Sequence, residues 1–374
     1  MANKAYKYRI YPNKAQEELI QKTFGCVRFV YNHFLEERIT AYKENDESRT
    51  FYQQNKMLTL LKQEYPWLQE PDKNALQNAL RDLNAAYQNF FRRVKSHEAF
   101  GFPKFKSKKS DKKSYATANN GNAIRIIDGK IHLPKLGYIK AKISRTIPTE
   151  HRIISAVISQ DPSGKYFVSI GTEYEQAVPK NELDRNNALG LDYSSPHFYV
   201  DSENNAADMP HFYRNAEKML SREQRKLSKM TRGSENYRKQ KIKVARAFEK
   251  VRNCRKDWQH KESTRLAKKY DYICVENINY QNMARGLRLA KATNDNSFGQ
   301  FRDMLAYKMA ERGKKLITIN KWYPSSKTCR FCGFINSELI LGQNQWDCEC
   351  CGAHLLRDYN AAINIREEGI RSVS

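Results

Sequence analysis

The chain has 374 residues and carries 66 Lys and Arg against 41 Asp and Glu, a formal charge of +25. That length suits two or three domains, and that charge favours a polyanionic partner, a nucleic acid before a membrane surface. The composition argues against a membrane-spanning or secreted protein, because no apolar run approaches about 18 residues and the segment from Met1 to Pro12 alternates charge. We therefore expect a cytoplasmic protein.

The N-terminal part begins with a predicted strand and continues with helices. Residues 4–11 alternate apolar and charged side chains, the pattern of a half-buried strand. Asn13 and Gln16 have the spacing of a capping box, and apolar residues then recur at helical spacing. Asp72 is the predicted N-cap of a third helix. Residues 13–96 are accordingly predicted to form a small helical bundle.

Short runs rich in β-formers, separated by turn residues, occupy residues 114–175 and are typical of a small β-barrel. The Lys-rich segment 101–113 before them contains Gly and Pro and predicts a loop, which either contacts phosphates or only links two elements. We expect the lone first strand to pair into this later sheet. The helices would then be an insertion between the first strand and the others.

Strands and helices alternate after residue 186, as in an α/β domain. The first strand of this part is an apolar run that leads into Asp192. Very basic helices follow at 214–269, with a break near Gly233, and then a strand that ends near Glu276. The excess of Lys and Arg on these helices favours nucleic-acid contact over a merely solvated face.

The most specific local motif is a pair of CxxC sequences, each followed by glycine. Cys329 with Cys332 and Cys348 with Cys351 can each present two thiolates from a tight turn, the arrangement of a zinc ribbon. A disulfide cluster or a redox CxxC are the alternatives, disfavoured by the expected compartment and by the duplication. Cys350 lies between two of these cysteines, but pairing Cys348 with Cys351 keeps the same spacing as in the first CxxC sequence. Four thiolates leave no open position, so the zinc is predicted to be structural.

Three acidic residues stand out by their positions. Asp192 lies in the first strand of the last part, Glu276 near the end of a second strand, and Asp358 in a helical segment after the cysteines. Each alone is as readily a cap or a surface group. If they converge, their oxygens would form a site for Mg²⁺, and two such ions could hydrolyse a phosphodiester.

Several segments together resemble the TnpB family of insertion-sequence proteins, which is related to compact type V CRISPR effectors. They are KAYKYRIYPNKAQEELIQKTFGCVRFVYN, GFPKFKSKK, GLDYSS, YICVENIN, YPSSKTCRFCG and CGAHLLRDYNAAINI. The resemblance covers essentially the whole chain. It implies a multidomain α+β and α/β protein, in which a β-barrel wedge domain carries an inserted helical bundle and an RNase H-like RuvC domain carries an inserted zinc ribbon.

The resemblance also implies domain boundaries. These are the first wedge strand at 1–12, a helical recognition domain at 13–113, the rest of the wedge barrel at 114–185, the RuvC-like domain at 186–325, the zinc ribbon or target nucleic-acid-binding domain at 326–353, and the C-terminal part of the RuvC-like domain at 354–374.

Position by position, the resemblance places the catalytic triad on Asp192, Glu276 and Asp358, which would hold two Mg²⁺ ions. It places one Zn²⁺ ion on the four cysteines of the CxxC pairs. All three acids are present, whereas inert relatives that act as repressors have lost triad acids. The chain departs from the family pattern at Tyr193 and Ser194, and in HLLRD where HDRD is frequent; neither change removes a metal ligand.

For contacts with DNA beside the target, the resemblance implicates Lys73 and Gln77 at the start of the third helix. Tyr52 and Thr117 are looser candidates. A solvent-facing role is the alternative for all four residues.

The function that the resemblance implies is that of a transposon-encoded, RNA-guided endonuclease that cleaves double-stranded DNA beside a short flanking motif. Its guide RNA would come from the transposon end, with one protein per RNA, in a prokaryotic cytoplasm at the nucleoid. A guided DNA-binding regulator without cleavage and a zinc-ribbon RNA-binding protein are the alternatives.

Overall fold

The computed structural model describes residues 1–109, 113–175, 182–278, 295–340 and 342–373. The chain divides into two compact units, Met1–Gln176 and Ala177–Ser374, and each combines helices with strands. None of the helices in these ranges has both the length and the apolarity needed to cross a bilayer.

Three helices follow the first strand of unit 1. They are α1 (Lys14–Asn45), α2 (Phe51–Glu64) and α3 (Lys73–Lys95), with a short 3-10 turn at Pro66–Gln69. The predicted capping box is confirmed at the start of α1. The backbone N–H of Gln16 donates to the Asn13 side chain at 2.9 Å, and the backbone N–H of Asn13 donates to the Gln16 side chain at 3.0 Å. These two bonds satisfy donors that a helix N-terminus otherwise leaves free.

Asp72 occupies the N-cap position of α3, but its side chain does not cap the helix. One of its carboxylate oxygens instead accepts a hydrogen bond from the hydroxyl of Thr117. Both side chains are buried. The local sequence predicts that this carboxylate caps the helix, but it bonds instead to a residue that is distant in the sequence.

The sheet of unit 1 has seven antiparallel strands in the order β2-β6-β7-β1-β5-β4-β3. They are β1 (Ala2–Tyr11), β2 (Lys113–Ala118), β3 (Arg125–Ile127), β4 (Lys130–Leu133), β5 (Gly137–Lys142), β6 (Arg152–Gln160) and β7 (Tyr166–Tyr174). The predicted pairing of the first strand is confirmed, because β1 lies between β7 and β5. Its buried face, Tyr6, Tyr8 and Ile10, shares one core with the three helices.

The main sheet of unit 2 has five strands in the order β10-β9-β8-β11-β12. They are β8 (Ala188–Ser194), β9 (Phe198–Asp201), β10 (Ala206–Asp208), β11 (Tyr272–Val275) and β12 (Lys315–Thr318). Strands β8, β11 and β12 are parallel, and β9 and β10 extend the sheet antiparallel. The carboxyl ends of β8 and β11 therefore lie side by side at one edge.

Four helices and a hairpin complete the described part of unit 2. They are α4 (Phe212–Ser228), α5 (Glu235–Lys269), α6 (Phe298–Ala310) and α7 (Arg357–Arg371), with a hairpin of β13 (Gln345–Asp347) and β14 (His354–Leu356). The predicted break near Gly233 is confirmed: this glycine has a φ of +91° between α4 and α5. That value is in the left-handed region, which glycine adopts at little cost.

A close approach between α7 and β8 depends on Gly190. A Cβ atom at this position would lie 2.0 Å from the carbonyl oxygen of Ala362 and 2.8 Å from the backbone nitrogen of Arg366. Both obstacles are backbone atoms of α7, so neither can turn aside. The glycine lets the helix that carries Asp358 lie directly against the strand that carries Asp192.

We expect Gly190→Ala to lower the free energy of unfolding by about 3 kcal/mol or more, since the new methyl group must push α7 away from the sheet. The measurement is chemical denaturation followed by circular dichroism. Gly25→Ala is the matched control, because a Cβ there meets nothing within 4 Å and the position is inside α1. That variant should gain up to about 1 kcal/mol. Wild-type stability of Gly190→Ala would contradict the packing argument.

Candidate nuclease site and cysteine cluster

Three acidic residues meet at the carboxyl edge of the parallel strands in unit 2. Asp192 lies in β8, Glu276 directly follows β11, and Asp358 is the second residue of α7. The register pairs Leu191 with Val275, so the next residue along each strand is one of the first two acids. The hydroxyl of Ser194, also in β8, donates to Asp358 at 3.3 Å. Three elements far apart in sequence thus bring their carboxylates to one place.

Burial and mutual repulsion disfavour the negative charges at this edge. Burial raises the pKa of Asp192 well above its usual range, and the nearby charges of Glu276 and Asp358 raise it further, while Arg357 lowers it. Burial also raises the pKa of Glu276, opposed by a hydrogen bond from the Ser325 hydroxyl. A site that holds buried carboxylates together against their repulsion is suited to a bound cation.

Arg357 pairs with the acid beside it. Its guanidinium donates from Nε and Nη2 to one oxygen of Asp358, at 2.9 and 2.7 Å, and from Nη1 to the carbonyl of Gln343 at 3.1 Å. Both charged side chains are about three-quarters buried. In this structure Arg357 thus forms an ion pair with Asp358.

The four cysteines of the CxxC pairs form a compact cluster. Among the described residues they are the one group of three or more His, Cys, Asp or Glu whose ligand atoms all lie within 4.8 Å of one another. The Sγ atoms of Cys329 and Cys351 are 3.7 Å apart, and those of Cys332 and Cys348 are 3.5 Å apart. A tetrahedral site with Zn–S bonds of about 2.3 Å places its sulfurs about 3.8 Å apart, so the thiols fit zinc. Cys350 is exposed and lies outside the cluster.

Two turns of the same form present these thiols. The N–H of Gly333 donates to the carbonyl of Cys329 at 2.9 Å, and that of Gly352 to the carbonyl of Cys348 at 2.8 Å. Both glycines have a positive φ, which reverses the chain beside the sulfurs. None of the eight cysteines is in a disulfide.

Two buried asparagines on α7 connect the cysteine segment to the acidic edge, and sequence analysis missed them. Asn360 accepts from the N–H of Arg330 at 3.0 Å and donates to the carbonyl of Thr328 at 2.7 Å. Asn364 donates to the carbonyl of Ser325 at 2.8 Å, and Ser325 in turn donates to Glu276. The signal was present in RDYNAAIN, since two asparagines one turn apart in a helix need partners when buried.

The candidate DNA-contact residues all lie in unit 1. Lys73 is exposed at the first residue of α3, and Gln77 is partly buried one turn later. Tyr52 is 78% exposed on α2, whereas Thr117 is 1% exposed with its hydroxyl turned to Asp72. The structure thus presents Lys73 and Tyr52 to solvent, and not the Thr117 side chain.

A groove of about 560 Å³ lies beside Lys73, with Lys62 and Lys135 also in its wall. Burial and the charge of Lys73 lower the pKa of Lys62, whereas the charge of Asp72, which also lines the groove, raises it. The wall of the groove thus contains three lysines and one carboxylate.

Three family models match separate parts of the chain. Residues 1–47 match a model described as "Helix-turn-helix domain", which here is strand β1 followed by the single long helix α1. Residues 171–286 match "Probable transposase", and residues 298–365 match "Cas12f1-like, TNB domain". The last match includes the cysteine cluster.

Two curated relatives are similar along nearly all of the chain. A Streptomyces pristinaespiralis protein named "Putative RNA-guided DNA endonuclease" is 32% identical over 98% of this chain and 89% of its own length. An Escherichia coli K12 protein named "Putative RNA-guided DNA endonuclease InsQ" is 29% identical over 98% of this chain and 92% of its own.

A solved structure shares the fold. It is Cas12f1, determined by cryo-EM in a complex with sgRNA and target DNA, with a TM-score of 0.51, 12% identity and coverage of 98% of both chains. The predicted family resemblance is confirmed by the full-length similarity to the Streptomyces protein together with the transposase model. The chain belongs to the TnpB family.

Proposed function

We propose that this protein is an RNA-guided DNA endonuclease with a RuvC-type active site formed by Asp192, Glu276 and Asp358. The observation that carries the proposal is the convergence of three carboxylates, from β8, from the residue after β11 and from α7; burial raises the pKa of Asp192 and of Glu276, and the charges of Glu276 and Asp358 raise that of Asp192 further. Such carboxylates add little to the stability of the folded protein by themselves. They do supply the metal ligands that a metal-dependent hydrolase needs. The names of the Streptomyces and E. coli relatives support the same activity.

The three acids would hold two Mg²⁺ ions. Carboxylate oxygens are the hard ligands that Mg²⁺ prefers. When bound, the ions would activate the attacking water and stabilise the leaving oxygen of the phosphodiester.

The neighbours of the acids keep the carboxylates oriented. Ser325 donates to Glu276, Ser194 donates to Asp358, and the Arg357 guanidinium holds the other oxygen of Asp358. These bonds limit side-chain rotation, so less free energy is spent on ordering the ligands when the metal and the scissile phosphate bind.

The remaining parts of the chain would serve the guide and the target. Base pairing with a guide RNA from the transposon end would select the DNA, while the protein reads the heteroduplex by shape and backbone. Lys73, Gln77 and Tyr52 remain candidates for contact with the flanking motif, whereas the buried Thr117 side chain would first have to leave Asp72. One protein per RNA, acting at the prokaryotic nucleoid, completes the proposal.

The domain names follow from this function. Residues 1–12 and 114–185 would be the wedge barrel around a recognition domain at 13–113. Residues 186–325 and 354–374 would be the RuvC-like nuclease around a zinc ribbon at 326–353. The ribbon would bind one Zn²⁺ through its four clustered thiols and hold the fold without taking part in the reaction.

We expect nucleic-acid affinity to fall steeply with salt. Helices α4 and α5 are rich in Lys and Arg, and the chain carries +25. If several phosphates are neutralised, the association constant should fall by about a thousandfold between 50 and 200 mM salt. Fluorescence anisotropy with a labelled RNA checks this slope, and an affinity that is insensitive to salt would contradict a backbone-dominated interface.

The test of function is cleavage of a plasmid pool that carries one target beside randomised flanks. The protein is co-expressed with a guide from the downstream boundary of its own gene, and cleavage is assayed with and without Mg²⁺. Guide-dependent double-strand breaks at one flanking motif support the endonuclease. An intact plasmid with guided binding supports the regulator, and RNA binding without targeted DNA affinity supports the RNA-binding protein.

A further inference from the structure

A group of exposed aromatic side chains lies at the C-terminal end of α3 and in the loop that follows. Phe91, Phe100 and Phe102 are 61%, 59% and 46% exposed. Together with Tyr87 and Phe90 they form what we call the aromatic patch, in which neighbouring ring centroids are 5.2 to 6.2 Å apart. Exposed apolar groups that are contiguous in this way mark an interaction surface, whereas scattered ones do not.

The loop that carries part of the aromatic patch is held against α1. The amide of Asn32 donates to the carbonyl of Lys106 at 2.9 Å and accepts from its backbone N–H at 2.7 Å. The Lys106 ammonium lies 4.0 Å from the centre of the Tyr31 ring, and Pro103 is buried. The backbone that carries the rings is thus already held in place. Binding a ligand therefore requires less loss of conformational entropy in this loop.

The charge around the aromatic patch selects among possible partners. Residues 92–109 contain seven Lys or Arg and a single acid, Glu98, and that acid is 3.5 Å from Arg92. A second copy of this chain would bring like charge to like charge. Unpaired nucleotides match both the exposed rings and the positive charge. Their flat bases can stack on the rings, and their phosphates can pair with the cations. A base-paired duplex hides those faces inside its stack.

We propose that the aromatic patch binds unpaired nucleotides of the guide RNA by stacking. The choice of RNA rests on the proposed function, in which the guide stays bound throughout and the DNA target binds only transiently. An apolar surface left uncovered between targets would promote aggregation, and a resident RNA strand covers it. The patch would thus be an RNA-holding surface separate from the acids that cut DNA.

The test replaces two rings by leucine in the full-length protein, as the double variant Phe100→Leu, Phe102→Leu. Leucine keeps apolar area and removes the stacking face. Affinity is measured for an unstructured RNA oligonucleotide at a salt concentration that suppresses most phosphate contacts. We expect about a tenfold loss or more, in line with stacking on aromatic side chains. Tyr42→Leu is the control, since Tyr42 is 63% exposed on α1 outside the patch, and it should bind as wild type does.

Three outcomes overturn the proposal. They are unchanged RNA affinity in the double variant with a normal melting temperature, an affinity loss confined to single-stranded DNA of the same sequence, and ultraviolet crosslinks of RNA that fall only outside residues 87–105. Guided cleavage by the wild-type protein is measured in parallel. If cleavage is absent but RNA binds at the patch, the proposed function fails alone; if cleavage is present and the double variant binds RNA normally, the patch proposal fails alone.

Discussion

Replacing Asp192 by asparagine is expected to abolish guided DNA cleavage while guided DNA binding persists. The asparagine keeps the shape of the side chain and removes one carboxylate from the proposed Mg²⁺ site. Because metal ligation contributes several kcal/mol to the transition state and each 1.36 kcal/mol is tenfold in rate, we expect a loss of about a thousandfold or more. The measurement is single-turnover cleavage of a labelled target beside a gel-shift assay with the same guide.

The same variant should be more stable than the wild type when no divalent metal is present. An acid whose folded pKa is raised destabilises the folded state once pH exceeds its unfolded pKa, because folding then requires a buried charge. Asparagine removes that cost. The stability gain should be absent below about pH 4, where an unfolded aspartate is protonated, and should grow as pH rises above it. Thermal melting with EDTA across pH checks the sign.

Asp208→Asn is the matched control for both measurements. Asp208 is an exposed acid of β10 in the same sheet, paired with His197 at 2.7 Å, and strand β9 separates it from β8. We expect it to cleave DNA at the wild-type rate. Wild-type cleavage by Asp192→Asn would remove Asp192 from the active site, and a lower melting temperature in EDTA would show that its carboxylate is not held against repulsion.

Features encoded by neighbouring residues were predictable from sequence. The capping box at Asn13, the break at Gly233 and the two CxxC turns each depend on residues within a few positions, and the structure has all three. The position of β1 in the sheet was predictable for a different reason. An alternating strand with one apolar face has to find a partner, and the later β-rich segment was the available one.

Features that depend on distant contacts were not visible in the sequence. Asp72 could cap a helix or bond elsewhere, and only the arrival of Thr117 on β2 decides between them. The burial of Thr117 had a local signal, because Thr117 lies two residues after Tyr115 in the strand and therefore on the same buried face. The hydrogen bonds from Asn364 to Ser325 and from Ser325 to Glu276 join three separate segments. The spacing of these residues in the sequence does not predict the contacts.

The cysteine cluster gives the second large prediction. Cys329→Ser is expected to lower bound zinc from about one equivalent to a small fraction, because serine replaces one of four thiolates. The melting temperature of unit 2 should fall with it, since structural zinc contributes on the order of 10 kcal/mol to the folding of small zinc domains. Zinc analysis by mass spectrometry and thermal melting measure the two effects.

Cys350→Ser separates the proposed ligands from their neighbour. Cys350 lies between two cluster residues in sequence but is exposed and outside the cluster, so this variant should keep its zinc and its melting temperature. Loss of zinc from Cys350→Ser together with retention in Cys351→Ser would reverse the ligand assignment.

The loss of zinc should also affect the position of Glu276 in the proposed active site. Asn360 and Asn364 of α7 bond to backbone groups of Ser325, Thr328 and Arg330, which lead into the first cysteine turn. If that turn loosens, Ser325 loses its position and no longer holds Glu276. We therefore expect Cys329→Ser to reduce cleavage by about tenfold or more even at temperatures where the rest of the chain stays folded. Full cleavage by a folded, zinc-free variant would show that the cysteine segment and the acidic edge are independent.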